Sequence, residues 1–224
     1  MSFLSISRLY DTATCYKQII IIALKLFSSR NIYNLSYQIR SMKTKFRYYN
    51  EIATSYNELH GEEQINKLEL IKTELLRNNL LKKGIFVLDV GAGTGLSSLY
   101  IDIEAIKVIS LEPAFELLKR NPNRYRVQGI AEFLPFKDGK FEIVQSITAM
   151  HNFDVIPKAI EEMKRVAKNN ARGNKTSKSY FVVSVLKKSK KAKEIIALLK
   201  NEFKVIKEIE EEKDVILILK RKNR

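Results

Sequence analysis

Val87-Leu88-Asp89-Val90-Gly91-Ala92-Gly93-Thr94-Gly95 is the stretch that decides the fold of this 224-residue chain. A short apolar run enters three glycines at alternate positions, and helix-forming residues follow. Glycine lets the backbone take positive φ and approach a ligand closely. A strand, a glycine turn and a helix in that order put the turn at the carboxyl end of a strand, where open parallel sheets bind ligands. Two familiar readings fail. The dinucleotide fingerprint G-x-G-x-x-G/A finds Leu96 at its last position, and a phosphate loop lacks its Lys.

Outward from the turn the pattern alternates. Ile85–Val90 reads as a strand, and a helix after the glycines runs to about Ile103. Strand Lys107–Leu111, helix Ala114–Arg120, strand Tyr125–Gln128 and strand Phe141–Ile147 follow. Then come helix Ile156–Ala167, strand Tyr180–Leu186 and helix Ala192–Asn201. Phe203–Ile209 and Val215–Leu219 close as a hairpin around the acidic turn Glu210–Asp214. This predicts an α/β fold: a doubly wound, mostly parallel seven-stranded sheet, an antiparallel C-terminal hairpin, helices on both faces. Asn169–Lys178 reads as a polar loop.

Residues 1–41 hold one acid, Asp11, and the only cysteine, Cys15, and read as a leader of uncertain status, either an added start or a helical cap. Residues 42–83 read as an N-terminal helical cap. There Ile52, Tyr56 and Leu59 share a helix face, and Gly61 breaks the pattern. Ile65, Leu68, Ile71, Leu75 and Leu76 then resume it up to a C-cap at Lys83-Gly84. Residues 84–224 form the third unit.

Composition narrows the function classes. The net charge is +15, but residues 84–186 are nearly balanced and the excess gathers at the two ends. A basic balance favours anionic partners; abundant Lys, Glu and Ile also match heat-adapted chains. One cysteine excludes a disulfide scaffold and a Cys-cluster zinc site. Two histidines, His60 and His151, leave little for a His-based metal site, so no metal is expected, and the chain reads as cytoplasmic. The apolar run Ile19–Leu24 is far short of the ~20 residues of a membrane span.

Further motifs share the register of the glycine turn. Glu112 ends the second strand in Val108-Ile109-Ser110-Leu111-Glu112-Pro113. A carboxylate there offers two oxygens to two hydroxyl donors. Gly129-Ile130-Ala131-Glu132-Phe133-Leu134-Pro135-Phe136 follows, then Met150-His151-Asn152-Phe153 and Glu162-Met163-Lys164-Arg165-Val166. Together with Asp-x-Gly-x-Gly-x-Gly, these runs resemble the class I S-adenosylmethionine-dependent methyltransferases, of the type 11-like kind, over roughly residues 48–220. The resemblance makes residues 84–224 the methyltransferase catalytic domain and S-adenosylmethionine the cofactor. It implies that Asp89 orients the methionine ammonium, that Gly91, Ala92, Gly93 and Gly95 lie against the cofactor, and that Glu112 holds the ribose hydroxyls, beside Pro113. Ala131 and Glu132 become candidates for the adenine side, where Ile130 replaces the usual Asp. Ser146 after the fourth strand, and Tyr49 and Tyr56 of the preceding helix, join the cofactor set.

The acceptor stays open. His151, on the cofactor edge, is the candidate general base. Lys187, Lys188, Lys190, Lys191 and Lys193 follow the fifth strand and would face RNA if RNA is the substrate. Ser146-Ile147-Thr148-Ala149 lacks the Asn/Asp-Pro-Pro-Tyr/Phe pattern of adenine and glutamine N-methylation. A small-molecule acceptor with an O, N or C nucleophile is favoured. RNA methylation, a non-catalytic relative acting as a binding partner, and a nicotinamide-dependent oxidoreductase are the alternatives.

Overall fold

The computed structural model describes residues 46–53, 56–101, 106–169 and 179–222, without the side chains of 56–60 and 62. The leader reading of residues 1–41 and most of the expected polar loop lie outside the described residues. Helix α1 spans Tyr56–Arg77, and strand β1 is Phe86–Val90. Then follow α2 (Leu96–Ile101), β2 (Lys107–Glu112), α3 (Phe115–Arg120), β3 (Arg126–Gln128) and β4 (Ile143–Ile147). A 3-10 turn, Met150–Asn152, leads to α4 (Ile156–Val166), β5 (Tyr180–Leu186) and α5 (Ala192–Glu202). The hairpin β6 (Phe203–Glu210) and β7 (Asp214–Arg221) closes the chain.

The seven strands form one sheet in the order β3-β2-β1-β4-β5-β7-β6. Strands β1 to β5 pair in parallel, and β7 pairs antiparallel with both β5 and β6. The order reverses between β1 and β2 on one side and β4 on the other, which opens a crevice at the carboxyl ends of β1 and β4. Alternate residues of each strand feed two cores. Leu88, Val90, Val144, Phe181 and Leu217 pack under α4 and α5, against Ile160, Met163, Ile195 and Leu199. Val87, Ile143, Val182 and Ile216 pack on the other face, with Leu68, Ile71 and Leu75 of α1 and Ile101 of α2. That two-sided burial is why the central strands read as near-continuous apolar runs.

Three local expectations are corrected. Gly61 does not break the helix; α1 runs through it, because Leu68, Ile71 and Leu75 bury a continuous face and packing outweighs the ~1 kcal/mol cost of a helical glycine. Ile65 and Leu76 lie off that face and are exposed, while Lys67 is fully buried on it. The helix ends at Arg77, well before Lys83-Gly84. Asn79, at φ 52, takes the left-handed position, with Asn79 N–H donating to the Leu76 carbonyl and Leu80 N–H to the Leu75 carbonyl, both at 2.9 Å. Those two bonds and the packing of Leu80 beside Leu75 form a Schellman cap. Phe141 lies ahead of β4, in an isolated bridge to Ala167.

Candidate functional site

A cavity of about 730 Å³, open mouth included, lies at the carboxyl ends of β1, β2 and β4. Gly91 and Gly93 form one wall, with φ of 79° and 54°. Gly91 N–H and Ala92 N–H both donate to the Leu111 carbonyl, at 2.8 and 3.0 Å, which fixes the turn to the end of β2. A Cβ on Gly91 would stand 2.6 Å from Ala149 Cβ, so the chain after β4 packs directly on this glycine. Gly95 serves a different purpose. A Cβ on it would fall 2.2 Å from Asn121 Oδ1, so it seats the buried Asn121 behind the turn.

Glu112 reaches the cavity from the end of β2. One carboxylate oxygen accepts Gly93 N–H at 3.0 Å and the other accepts Ala114 N–H at 2.8 Å. The acid is therefore pinned in orientation, and each oxygen keeps a further lone pair. Burial is the main cause that pushes its pKa up to about 7, against the two backbone bonds; the Asp89 charge adds to the rise. Below pH 7 the folded chain holds this proton, whereas the unfolded chain releases it near the ordinary value of 4.5. Between those values the native state binds more protons, so the free protein loses stability, on the order of 3 kcal/mol, as pH rises from about 4.5 to 7. A ligand whose hydroxyls donate to Glu112 favours the carboxylate and expels the proton. At pH 6.5, calorimetry in two buffers of different ionisation enthalpy is expected to show net proton release on cofactor binding. Buffer-independent heats would contradict this assignment of Glu112.

Asp89 lies behind the turn and does not line the cavity. It is fully buried, and its Oδ2 accepts the hydroxyls of Ser97 at 2.5 Å and Ser98 at 3.0 Å. Burial raises its pKa, and the two serines counter the shift. The carboxylate thus anchors the start of α2 beneath the turn, where the resemblance implies an ammonium contact. Gln145, on the neighbouring strand β4, also counters the shift.

The opposite wall comes from two segments. Ile130, Ala131 and Glu132 line it, as does Pro113. Glu132 Oε1 accepts the N–H groups of Asp154 at 2.8 Å and Val155 at 3.2 Å, so this acid braces the chain after the 3-10 turn. Burial raises its pKa too. The Glu162–Arg165 pair explains the motif on α4. Glu162 accepts Leu134 N–H at 2.9 Å, and Arg165 donates to the Leu134 and Phe136 carbonyls, which holds the 129–136 segment in place.

Ile147, Thr148, Ala149, Asn152, Phe153 and Asp154 supply the side after β4. Ser146 is fully buried in β4 and His151 sits within the 3-10 turn; neither lines the cavity. The tight turn presents Asn152 and Phe153 instead. Sequence reasoning misses these two because periodicity does not reveal a 3-10 turn in the Met150-His151-Asn152-Phe153 run. Thr148 carries φ 51, a left-handed conformation that is an outlier for a β-branched residue and costs about 1–3 kcal/mol.

Residues 46–51 form a helical turn over the mouth. Phe46 and Tyr49 line the cavity, and Asn152 Nδ2 donates to the Tyr49 hydroxyl at 2.8 Å. Burial raises the Tyr49 pKa, so it stays a protonated phenol. Tyr56 opens α1, and its side chain lies outside the described residues. The five lysines do not line the cavity. Lys187 pairs with Glu210 at 2.7 Å, and Lys191 donates to the Phe153 carbonyl at 3.0 Å.

A family model described as a methyltransferase domain matches residues 88–172, which contain the turn, Glu112, the 129–136 segment and the chain after β4. The matched segment is a methyltransferase domain. An uncharacterized protein of Methanocaldococcus jannaschii is 31% identical over 138 residues, 62% of this chain and 53% of that one. An uncharacterized methyltransferase of Bacillus subtilis is 36% identical over 95 residues, 38% of each chain. A demethylmenaquinone methyltransferase of Renibacterium salmoninarum is 37% identical over 86 residues, 37% of this chain and 36% of that one. The match thus spans about half or less of these relatives' length. Among solved structures, a SAM-dependent methyltransferase from Aquifex aeolicus aligns with TM-score 0.55 at 19% identity, over 67% of this chain and 89% of that one. A protein from Pyrococcus horikoshii aligns with TM-score 0.57 at 17% identity, over 72% and 91%. These structural likenesses are of fold.

The methyltransferase domain's residues fit S-adenosylmethionine. Glu112 offers two oriented acceptors beside the glycine wall, for a diol. Leu111, Ile130 and Ala131 give an apolar slot for a flat ring. The cavity's ionisable lining (Glu112, Glu132, Asp154, with Tyr49) contains acids and no Lys, Arg or His among the described residues, which suits a cationic ligand.

Proposed function

We propose that this protein is a methyltransferase that uses S-adenosylmethionine and acts on a small, uncharged or cationic acceptor. The carrying observation is Glu112, pinned by Gly93 and Ala114 and directed into the cavity beneath the glycine wall. The chemistry supplied by S-adenosylmethionine is a methyl on a cationic sulfur, which departs as a neutral thioether and needs no acid. Glu112 and the Gly91–Gly93 backbone bind and orient. Phe46, Tyr49 and Phe153 exclude water and offer aromatic faces to a positively charged acceptor. Catalysis then rests on orientation, which contributes up to ~7–11 kcal/mol.

The acidic, aromatic lining supports a small acceptor over the RNA alternative, since phosphates are repelled by Glu132 and Asp154 and the lysines sit off the cavity. His151 is not among the residues that line the cavity, and Asp154 is the carboxylate that lines it after β4. The single cysteine supports placement in the cytoplasm. The test is transfer of labelled methyl from S-adenosylmethionine into fractionated RNA, protein and metabolite pools. Label is expected in the metabolite pool. Label confined to RNA would overturn the acceptor class, and label in no pool would overturn the activity.

A further inference from the structure

Lys67 is a fully buried lysine on α1, outside the cofactor machinery. Its ammonium lies 2.8 Å from Asp214 Oδ2, at the start of β7, and 3.8 Å from Glu63. It also donates to Thr148 Oγ1 at 2.8 Å. The Thr148 hydroxyl donates to Asp214 Oδ2 at 2.7 Å and meets the Ser184 hydroxyl at 3.0 Å. Thr148 N–H donates to Ser184 Oγ at 2.8 Å. Lys67, Asp214, Ser184 and Thr148 thus close a network drawn from α1, β7, β5 and the end of β4. Every hydrogen-bonding group of the Thr148 side chain is used by it.

Thr148 is the residue this network holds at φ 51. A strained conformation persists only where surroundings over-determine it. The next residue, Ala149, packs on Gly91 so closely that a Cβ there would stand 2.6 Å away. A contiguous path therefore runs from Lys67 through Thr148 and Ala149 to the glycine wall of the cofactor cavity. The geometry points to Lys67 and Asp214 as positioning residues, which fix the Thr148 backbone and thereby set the cofactor wall and the acceptor side of the cavity. This rests on the cofactor reading given above.

The test separates positioning from general stability. Lys67→Met with Asp214→Leu removes both charges, so no unpaired ion is left buried. S-adenosylhomocysteine is the probe, measured by calorimetry on the full chain. The double variant is expected to bind about ten-fold more weakly than wild type, within the usual range of coupling between sites. Adding Thr148→Gly is expected to recover part of the lost affinity, because glycine takes φ 51 at no steric cost once the network is gone. A purely structural role for Lys67 would leave the triple variant as weak as the double. Unchanged affinity in the folded double variant, or no rescue by Thr148→Gly, overturns the proposal. If the double variant does not fold, Ser184→Ala removes the side-chain acceptor of Thr148 N–H and the hydroxyl that meets Thr148 Oγ1, leaving only the Ser184 carbonyl at 3.2 Å, with no change of charge. It is expected to weaken binding in the same direction and to be rescued in the same way; unchanged affinity there overturns the proposal. If wild type itself does not bind the probe, the cofactor reading fails, and amide hydrogen exchange decides the positioning claim by itself. Faster exchange at Thr148 and Ala149 in the double variant supports it, and unchanged exchange overturns it.

Discussion

Glu112→Ala is expected to weaken S-adenosylmethionine binding about a hundred-fold, the equivalent of roughly 3 kcal/mol. The wild-type carboxylate presents two charged acceptors already oriented by Gly93 and Ala114, and hydrogen bonds to charged groups contribute about 1.5–3 kcal/mol each. The effect on folding runs differently. Above pH 7 the substitution relieves the cost of a buried carboxylate whose pKa stands at about 7. It also strands two backbone donors, at about 1–3 kcal/mol each. These offset, so thermal stability at pH 8 is expected to change little while affinity collapses. At pH 5, where Glu112 is neutral in the native state, only the stranding remains and the variant is expected to melt lower. Glu112→Gln keeps one acceptor oxygen and is expected to lie between. A pair of binding isotherms and melting curves at the two pH values checks all three. Wild-type affinity in Glu112→Ala would remove the residue from the site.

Gly91→Ala is the second large effect, and here binding and stability fall together. A methyl at this position meets Ala149 Cβ at 2.6 Å and must adopt φ 79. Overpacking and left-handed strain each cost about 1–3 kcal/mol. At about 2–4 °C per kcal/mol for a chain of this size, Tm is expected to fall by roughly 10 °C. Cofactor binding is expected to drop below detection, because relief of the clash must move either the glycine wall or the chain after β4. Gly61→Ala is the matched control. Its Cβ meets nothing within 4 Å and it lies inside α1, so the change is expected to stabilise by up to ~1 kcal/mol. Equal melting shifts in the two variants would refute the role given to Gly91.

The two glycines also show what a sequence does and does not carry. Gly91 is legible because it stands between an apolar run and a helix, with Glu112 in matching register on the next strand. The parallel sheet is legible in the alternating elements, whereas the strand order that places the crevice comes from the structure. Gly61 misleads because the pattern around it is weak. Buried contacts of Leu68, Ile71 and Leu75, made with strands far away in sequence, decide that helix. Gly84 offers itself as the helix end, while Asn79 supplies the left-handed residue. Asparagine signals that region less plainly than glycine does.

The candidate site divides in the same way. Glu112, Gly91, Gly93, Pro113, Ala131, Glu132 and Tyr49 line one cavity. Asp89, Ala92, Gly95 and Ser146 do not, since alternation along a strand or tight turn sends neighbours to opposite sides. His151 stands out in the sequence as the one imidazole of the region, yet a three-residue 3-10 turn presents Asn152 and Phe153 to the cavity. Lys67 and Asp214 give no signal at all. A buried ion pair between helix α1 and strand β7 is a product of tertiary packing, and each partner by itself reads as a surface charge.

Calorimetric titration of the wild-type protein with S-adenosylmethionine and S-adenosylhomocysteine, with NAD as comparison, tests the central claim most directly. Saturable one-to-one binding of both adenosyl ligands, and none of NAD, is the expected result. A folded protein that gives no binding heat with either adenosyl ligand would contradict it.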